Sequence, residues 1–309
     1  MTLHVATPLL ESHAFDARPG TRIWLKMEAL QPSGSFKLRG IGHACETYAA
    51  HGARRIVASS GGNAGLAAAW AARRLGLPCL VVVPETTSPR ARALLAREQA
   101  QVCVHGLSFQ EANAYAQSQL QAHDAFIHPF DDPLLWEGHA SMIDEVAASG
   151  LRPDCVLLSV GGGGLLSGVV AGLRRQGWDD VPVFAVETAG ADSYAQSLAA
   201  GERVELPAIT SIATSLGARK VSEHAFALAG THPIRSVVVT DREAVAACVR
   251  FIDDHRVVVE PACGAALALA YRADGADAAL ADFTNVLVIV CGGATATVAQ
   301  LQAWDVQLR

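Results

Sequence analysis

Lysine is scarce in this sequence. Lys26, Lys37 and Lys220 are the only three, and arginine supplies the other basic groups. Lys37 stands in SGSFKLRG (33–40), after a small-residue turn (Ser33, Gly34, Ser35) and Phe36, and before Arg39. A solvated surface lysine needs no such setting, whereas an amine used as a nucleophile does. The second chemical feature is VGGGGLLSG (160–168), where Gly161 to Gly164 join an apolar run to a helical pattern. A row of backbone N–H groups at a helix N-terminus is an anion site, most naturally for phosphate. A tight turn alone would need one glycine rather than four.

The elements that must carry these residues alternate along the chain. RIVASS (55–60), CLVVVP (79–84), QVCVHG (101–106), CVLLSV (155–160), VPVFAVE (181–187), SVVVT (236–240) and NVLVIV (285–290) read as strands. Helical stretches lie between them at 63–76, near 89–99, and at 111–122, 164–176 and 241–254. Continuous apolar strands separated by helices predict parallel sheets covered on both faces, hence an α/β chain in three layers. Ligands of such sheets bind outside the carboxyl ends of strands. Here those ends are SSGGN (59–63), VGGGG (160–164), VETAG (186–190) and VCGGAT (290–295).

With 309 residues, 51% of them hydrophobic, and a net charge of −6, the chain is expected to be globular and not a basic nucleic-acid binder. No run approaches the ~20 apolar residues of a membrane span, and MTLHVATPLL lacks the pattern of a signal peptide. The seven cysteines are scattered without a CxxC pair, which favours reduced thiols and a cytoplasmic setting.

Lys37 and the glycine loop together match the needs of pyridoxal phosphate: an amine for the Schiff base and an anchor for the phosphate. A dinucleotide reading stays open beside it, since Glu187 ends the strand after the glycine loop, where a ribose-binding acid would stand. The order GGGG is not a clean G-x-G-x-x-G, and that reading gives Lys37 no task. Six segments then carry a resemblance: KMEALQPSGSFKLRG (26–40), SSGGNAG (59–65), HPFDDPLLWEGHAS (128–141), VGGGGLLSGV (160–169), VEPACGAAL (259–267) and VIVCGG (288–293). In this order they resemble the fold-type-II pyridoxal-phosphate enzymes, nearest the catabolic liver-type serine/threonine dehydratases, from Thr7-Pro8-Leu9 to the C-terminus.

The resemblance implies a tryptophan-synthase-β-like fold of two α/β/α domains with mainly parallel sheets. Residues 1–39 and 138–309 would form a large cofactor domain. Residues 40–137 would form a small inserted domain with the substrate loop, closing on a cleft. It also implies site roles. Lys37 forms the Schiff base, with Phe36 and Ser215 on opposite faces of the ring. Asn63 bonds the ring oxygen, and Ser60, Gly61 and Asn63 receive the substrate carboxylate. Gly161, Gly162, Gly163, Gly164 and Leu165 hold the phosphate, and Cys291 faces the pyridine nitrogen. Glu187, with Gly161, Ala191, Ser193, Leu216 and Ala218, resembles a monovalent-cation site, expected to take K⁺. A homodimer without nucleic-acid or membrane partners is expected.

The implied reaction converts L-serine to pyruvate and ammonia, and L-threonine to 2-oxobutanoate. The freed Lys37 amine is placed to take the Cα proton, provided its environment favours the neutral form. The β-hydroxyl needs a proton to leave, with the cofactor phosphate as donor and serine or Lys37 as alternatives. A neutral thiol at Cys291 is a weak partner for the ring nitrogen and favours rapid loss of a β-group over transamination. Related racemases carry a serine where Gly61 stands, so racemisation is disfavoured. No regulatory domain is expected after the last strand. The rivals are a threonine-preferring dehydratase, another β-eliminase or synthase, a nicotinamide-dependent dehydrogenase, and a non-catalytic amino-acid-binding relative.

Several residues receive plainer readings. Arg39 is expected in a surface ion pair, on an extended segment with Lys37. His128 and His139 are assigned to a packing and hinge segment, Asp131 and Asp132 to turns or caps. Glu260 is read as a helix N-terminal dipole partner.

Overall fold

The computed structural model describes residues 2–15, 19–272 and 280–309. The fold divides into two compact units, Met1–Val5 with Gln31–His139 and Ala6–Leu30 with Ala140–Arg309. Strands β1 (Leu9–Ser12) and β2 (Arg22–Lys26) open the larger unit. The smaller unit follows with α1 (Lys37–Ala50), β3 (Arg55–Ala58), α2 (Asn63–Leu75), β4 (Cys79–Val83), α3 (Pro89–Arg97), β5 (Gln101–Val104), α4 (Phe109–Ser118) and β6 (Asp124–Ile127). Helix α5 (Pro133–Ala148) contains the return to the larger unit. There follow β7 (Cys155–Ser159), α6 (Gly164–Arg175), β8 (Val183–Thr188), α7 (Ser193–Ala200), α8 (Glu223–Leu228), β9 (Ile234–Val239), α9 (Asp241–His255), α10 (Pro261–Tyr271), β10 (Asn285–Ile289) and α11 (Val298–Gln307).

The predicted α/β class with mainly parallel sheets is what the chain adopts. The larger unit has the sheet order β1-β2-β10-β7-β8-β9, and the smaller has β5-β4-β3-β6. Every pairing is parallel except β1 with β2, which meets Leu9 with Lys26 in an antiparallel ladder. The central strands CVLLS and CLVVV are buried at every residue, as parallel strands covered on both faces must be. Helix α10 is likewise buried at every residue, so its sequence is apolar all round rather than striped.

Local chemistry sets the element ends. Gly76 ends α2 in the left-handed conformation with φ 68°. Thr240 and Glu243 close a reciprocal capping box at the start of α9. Ser88 and Ser108 cap α3 and α4 through their side-chain oxygens.

Three expectations need correction. Lys37 does not lie on an extended segment; it begins α1, and α1 packs on α2 and β6. That packing draws residues 31–39 into the smaller unit, so the division falls at Leu30/Gln31 and not at 39/40, and residues up to Val5 join it. Arg39 lies in the first turn of this helix and is fully buried, so it is not a surface charge.

Candidate active site

In the smaller unit the site residues gather at the carboxyl ends of adjacent strands. Strand β3 lies between β4 and β6. It ends at Ala58 and releases SSGGN, whose Asn63 is buried at the first position of α2. Within this loop the Gly62 N–H donates to Ser60 Oγ at 3.2 Å. The loop after β4 brings Thr87 over it: a Cβ on Gly61 would stand 2.6 Å from Thr87 Cγ2 and 2.8 Å from its Oγ1. The end of β6 leads into His128 and Pro129, and Lys37 Nζ donates to the Pro129 carbonyl at 2.5 Å. Lys37, Ser60, Gly61 and Asn63 therefore share one edge of one sheet. Phe36 precedes the lysine, with Nζ 5.1 Å from its ring centre.

The other two lysines are placed differently. Lys26 is 1% exposed, ion-paired to Glu145, and donates to the Thr7 carbonyl at 2.7 Å. Its charge is answered within the larger unit by a carboxylate that is itself partly exposed. Lys220 is exposed on the surface.

In the larger unit, β10, β7 and β8 are neighbours, and their carboxyl ends carry Cys291, the glycine loop and Glu187. Gly163 precedes α6 with φ 96°, and a Cβ there would sit 2.3 Å from Ala225 Cβ. Glycine is required at that position by conformation and by space. The Ser222 N–H fixes the loop by donating to Gly162 O at 3.1 Å. Gly161 lies against the turn Thr214–Leu216, since its Cβ would approach Leu216 Cα to 2.9 Å. The loop and the turn that carries Ser215 are thus in contact.

Glu187 is fully buried, and burial raises its carboxyl to about 8 despite two backbone hydrogen bonds. Its Oε1 accepts from Tyr194 N–H at 2.9 Å and its Oε2 from Ala195 N–H at 2.7 Å, which caps α7. Ser193 Oγ nearby is buried without a hydrogen-bond partner among the described residues. These residues hold no cluster of three or more His, Cys, Asp or Glu side chains suited to a metal ion. Ser211 links this region to the start of α9: its Oγ touches Thr188 Oγ1 at 2.8 Å and donates to Asp241 Oδ1 at 2.5 Å.

Cys291 is buried, and a hydrogen bond with Cys263, then burial, push its thiol well above the usual range. It is a neutral thiol. Cys263 had only the reading of a structural thiol, and nothing in its sequence neighbourhood marks it as the partner of a residue 28 positions on. Glu260 is more than a dipole partner: it is 6% exposed, and its side chain fills the space beside Gly293 at the end of the VCGG turn. Asp132 caps the start of α5, accepting from Leu134 N–H at 2.8 Å and from Tyr48 Oη–H at 2.9 Å. His128 Nδ1 accepts from Asp131 N–H at 2.7 Å and shapes a turn. His139 lies within α5, as the last residue of the smaller unit before the chain returns to the larger.

The donor set fits pyridoxal phosphate. The first amides of α6 have no preceding helical carbonyl, and the residues before them are glycines held open by their surroundings. The smaller unit supplies an amine, an amide side chain and a hydroxyl on one sheet edge. A nicotinamide cofactor would leave that edge without a task.

Comparison with known proteins agrees. Residues 1–292 match the family model described as pyridoxal-phosphate dependent enzyme. The L-serine dehydratase/L-threonine deaminase of Mus musculus is 47% identical over 99% of this chain and 96% of its own length. The serine dehydratase-like protein of Mus musculus is 49% identical over 99% of this chain and 95% of its own. The crystal structure of a fungal L-serine ammonia-lyase from Rhizomucor miehei superposes with a TM-score of 0.93 at 33% identity, covering 100% of both chains. This chain belongs to the family of pyridoxal-phosphate dependent enzymes.

Proposed function

We propose that this protein is a lyase that converts L-serine to pyruvate and ammonia, and L-threonine to 2-oxobutanoate. The observation that carries the reading is the placement of Lys37. It is joined to the end of β6, beside the SSGGN loop, while Lys26 is held by Glu145. The full-length likeness to proteins named as serine dehydratases supports the substrate class.

Pyridoxal phosphate, when bound, supplies an electron sink for the charge left on Cα. The chain's own residues do the rest. The amides of the glycine loop and the first turn of α6 would hold the cofactor's phosphate. Asn63 and the backbone of Ser60 to Asn63 orient the substrate, with its carboxylate on the loop. Lys37 Nζ takes the Cα proton, and its short tether to Pro129 O keeps the amine at the sheet edge where that proton arrives. Cys291 would offer the cofactor's ring nitrogen a neutral thiol in place of a carboxylate, and its hydrogen bond with Cys263 favours that neutral form. Gly61 has no proton to give on the opposite face, which directs the reaction to elimination. The Glu187 region is assigned to a monovalent cation, supported by the unpartnered Ser193 Oγ and the raised Glu187 carboxyl, which a cation would lower. Seven free cysteines support a reducing, cytoplasmic setting.

The test is 2-oxo acid formation from a panel of β-substituted amino acids, with K⁺ and with Na⁺. Serine and threonine should both react, and K⁺ should accelerate them. A protein that takes up the cofactor yet acts only on O-substituted serines would show a different β-eliminase.

A further inference from the structure

Helix α1 begins at Lys37 without a side-chain cap of its own. Its cap position is Phe36, which has no acceptor, and the nearby Ser35 Oγ is buried without a hydrogen-bond partner among the described residues. The first-turn amides must find partners elsewhere. Leu38 N–H reaches Ser35 O at 3.4 Å and Arg39 N–H reaches Phe36 O at 3.0 Å. The next amide, Gly40 N–H, donates to His139 Nδ1 at 3.1 Å, across 99 residues of sequence. The ring is fully buried and packs against Phe36 with centroids 4.9 Å apart. It comes so close to the helix that a Cβ on Gly40 would stand 2.6 Å from its Cε1.

Because Nδ1 accepts, the ring proton resides on Nε2, which has no partner among the described residues. Burial, then the positive charges of Lys37 and Arg39, hold the imidazole well below its usual range, so it remains an acceptor. His4 adds to the same effect.

We propose that His139 is a positioning residue for Lys37: as a neutral ring it caps the first turn of α1 and seats Phe36, fixing where the amine starts. His139 is assigned no contact with substrate and no proton transfer, and acts through the start of α1. The inference rests on Lys37 being the reacting amine, as proposed above, and adds a residue which that reading does not include.

The test compares His139→Phe, which keeps a ring and loses the acceptor, with His139→Asn, which keeps an acceptor. In the cofactor-loaded enzyme, kcat for serine should fall about ten- to a hundredfold in His139→Phe, with KM within about twofold, and recover in part in His139→Asn. A second readout needs no activity. Competitive acetylation of the full chain before cofactor loading, followed by peptide mass analysis, compares Lys37 with exposed Lys220 in the same molecule. That ratio should shift by about threefold or more in His139→Phe and less in His139→Asn. An unchanged kcat and ratio, with only a lower melting temperature, would overturn the proposal. So would failure of both variants to fold, which would make His139 a residue of structure alone. If Lys37→Ala retained activity the functional reading would fall, while the acetylation ratio would still report on the cap.

Discussion

The two glycine-rich strand ends of this protein close in different ways. At SSGGN, in the smaller unit, side chains surround the loop: Ser60 bonds it, Asn63 is buried beneath it and Thr87 covers Gly61. At VGGGG, in the larger unit, the backbone alone is offered, held open by Leu216 and Ala225. The first arrangement suits a substrate that must be told from its neighbours, because side chains discriminate. The second suits a group common to every turnover, because backbone amides grip phosphate regardless of what it carries. Lys37, the lysine proposed for the reaction, is on the discriminating side.

That contrast can be broken by substitution. Lys37→Ala should lower kcat about 10³-fold, whereas Lys26→Met should spare the chemistry and reduce stability by about 1 kcal/mol, since the Glu145 carboxylate left behind is partly exposed. Steady-state kinetics and urea unfolding of both variants separate these effects. In the larger unit, Gly163→Ala must adopt φ near 96° against Ala225. Its cost is roughly 1–2 kcal/mol in conformation alone, so cofactor affinity should fall about tenfold, read by absorbance titration. If KM for serine rose instead with cofactor affinity intact, the division of labour would be wrong.

Smaller effects sharpen it. Gly61→Ala pushes a Cβ against Thr87 Cγ2, so KM for serine should rise a few-fold. Thr87→Ala, which removes both Cγ2 and Oγ1, should restore it, with a coupling of about 0.5 kcal/mol or more in a double-mutant cycle. Glu187 gives a pH dependence with a definite sign. Its carboxyl is raised from 4.5 to about 8 in the folded chain. The folded state therefore binds more protons than the unfolded one, and stability falls as pH rises from about 4.5 to about 8. A cation at that carboxylate would offset the loss, so K⁺ should raise the melting temperature more at about pH 9 than at about pH 6. Glu187→Gln should abolish the difference.

The alternation of apolar strands with Ala-rich helices made the class and most of the elements legible in the sequence. Both sheets follow from runs such as CVLLS and CLVVV, whose burial on two faces leaves no polar alternation to misread. The strand ends also marked the site, because glycines clustered after an apolar run let the backbone come close to a ligand. What stayed hidden depended on distant partners. The start of α1 has no cap in its own sequence, so SGSFKLRG reads as extended, and only His139 reveals the helix. Arg39 looked like a surface charge because nothing local shows that it is covered. Cys263 and Glu260 sit in VEPACG, and their place beside Cys291 follows from the packing of α10 against β10, which spacing does not encode.

Everything proposed for the reaction turns on Lys37, and neither other lysine, carrying the chemistry. Borohydride reduction of the cofactor-loaded protein, followed by peptide mass mapping, tests this most directly. With three lysines in the chain, each falls in a distinguishable peptide. The reduced cofactor should be found on Lys37 alone, and the treated protein should no longer form pyruvate from serine. A label on Lys220 or Lys26, or full activity with Lys37 labelled, would contradict it.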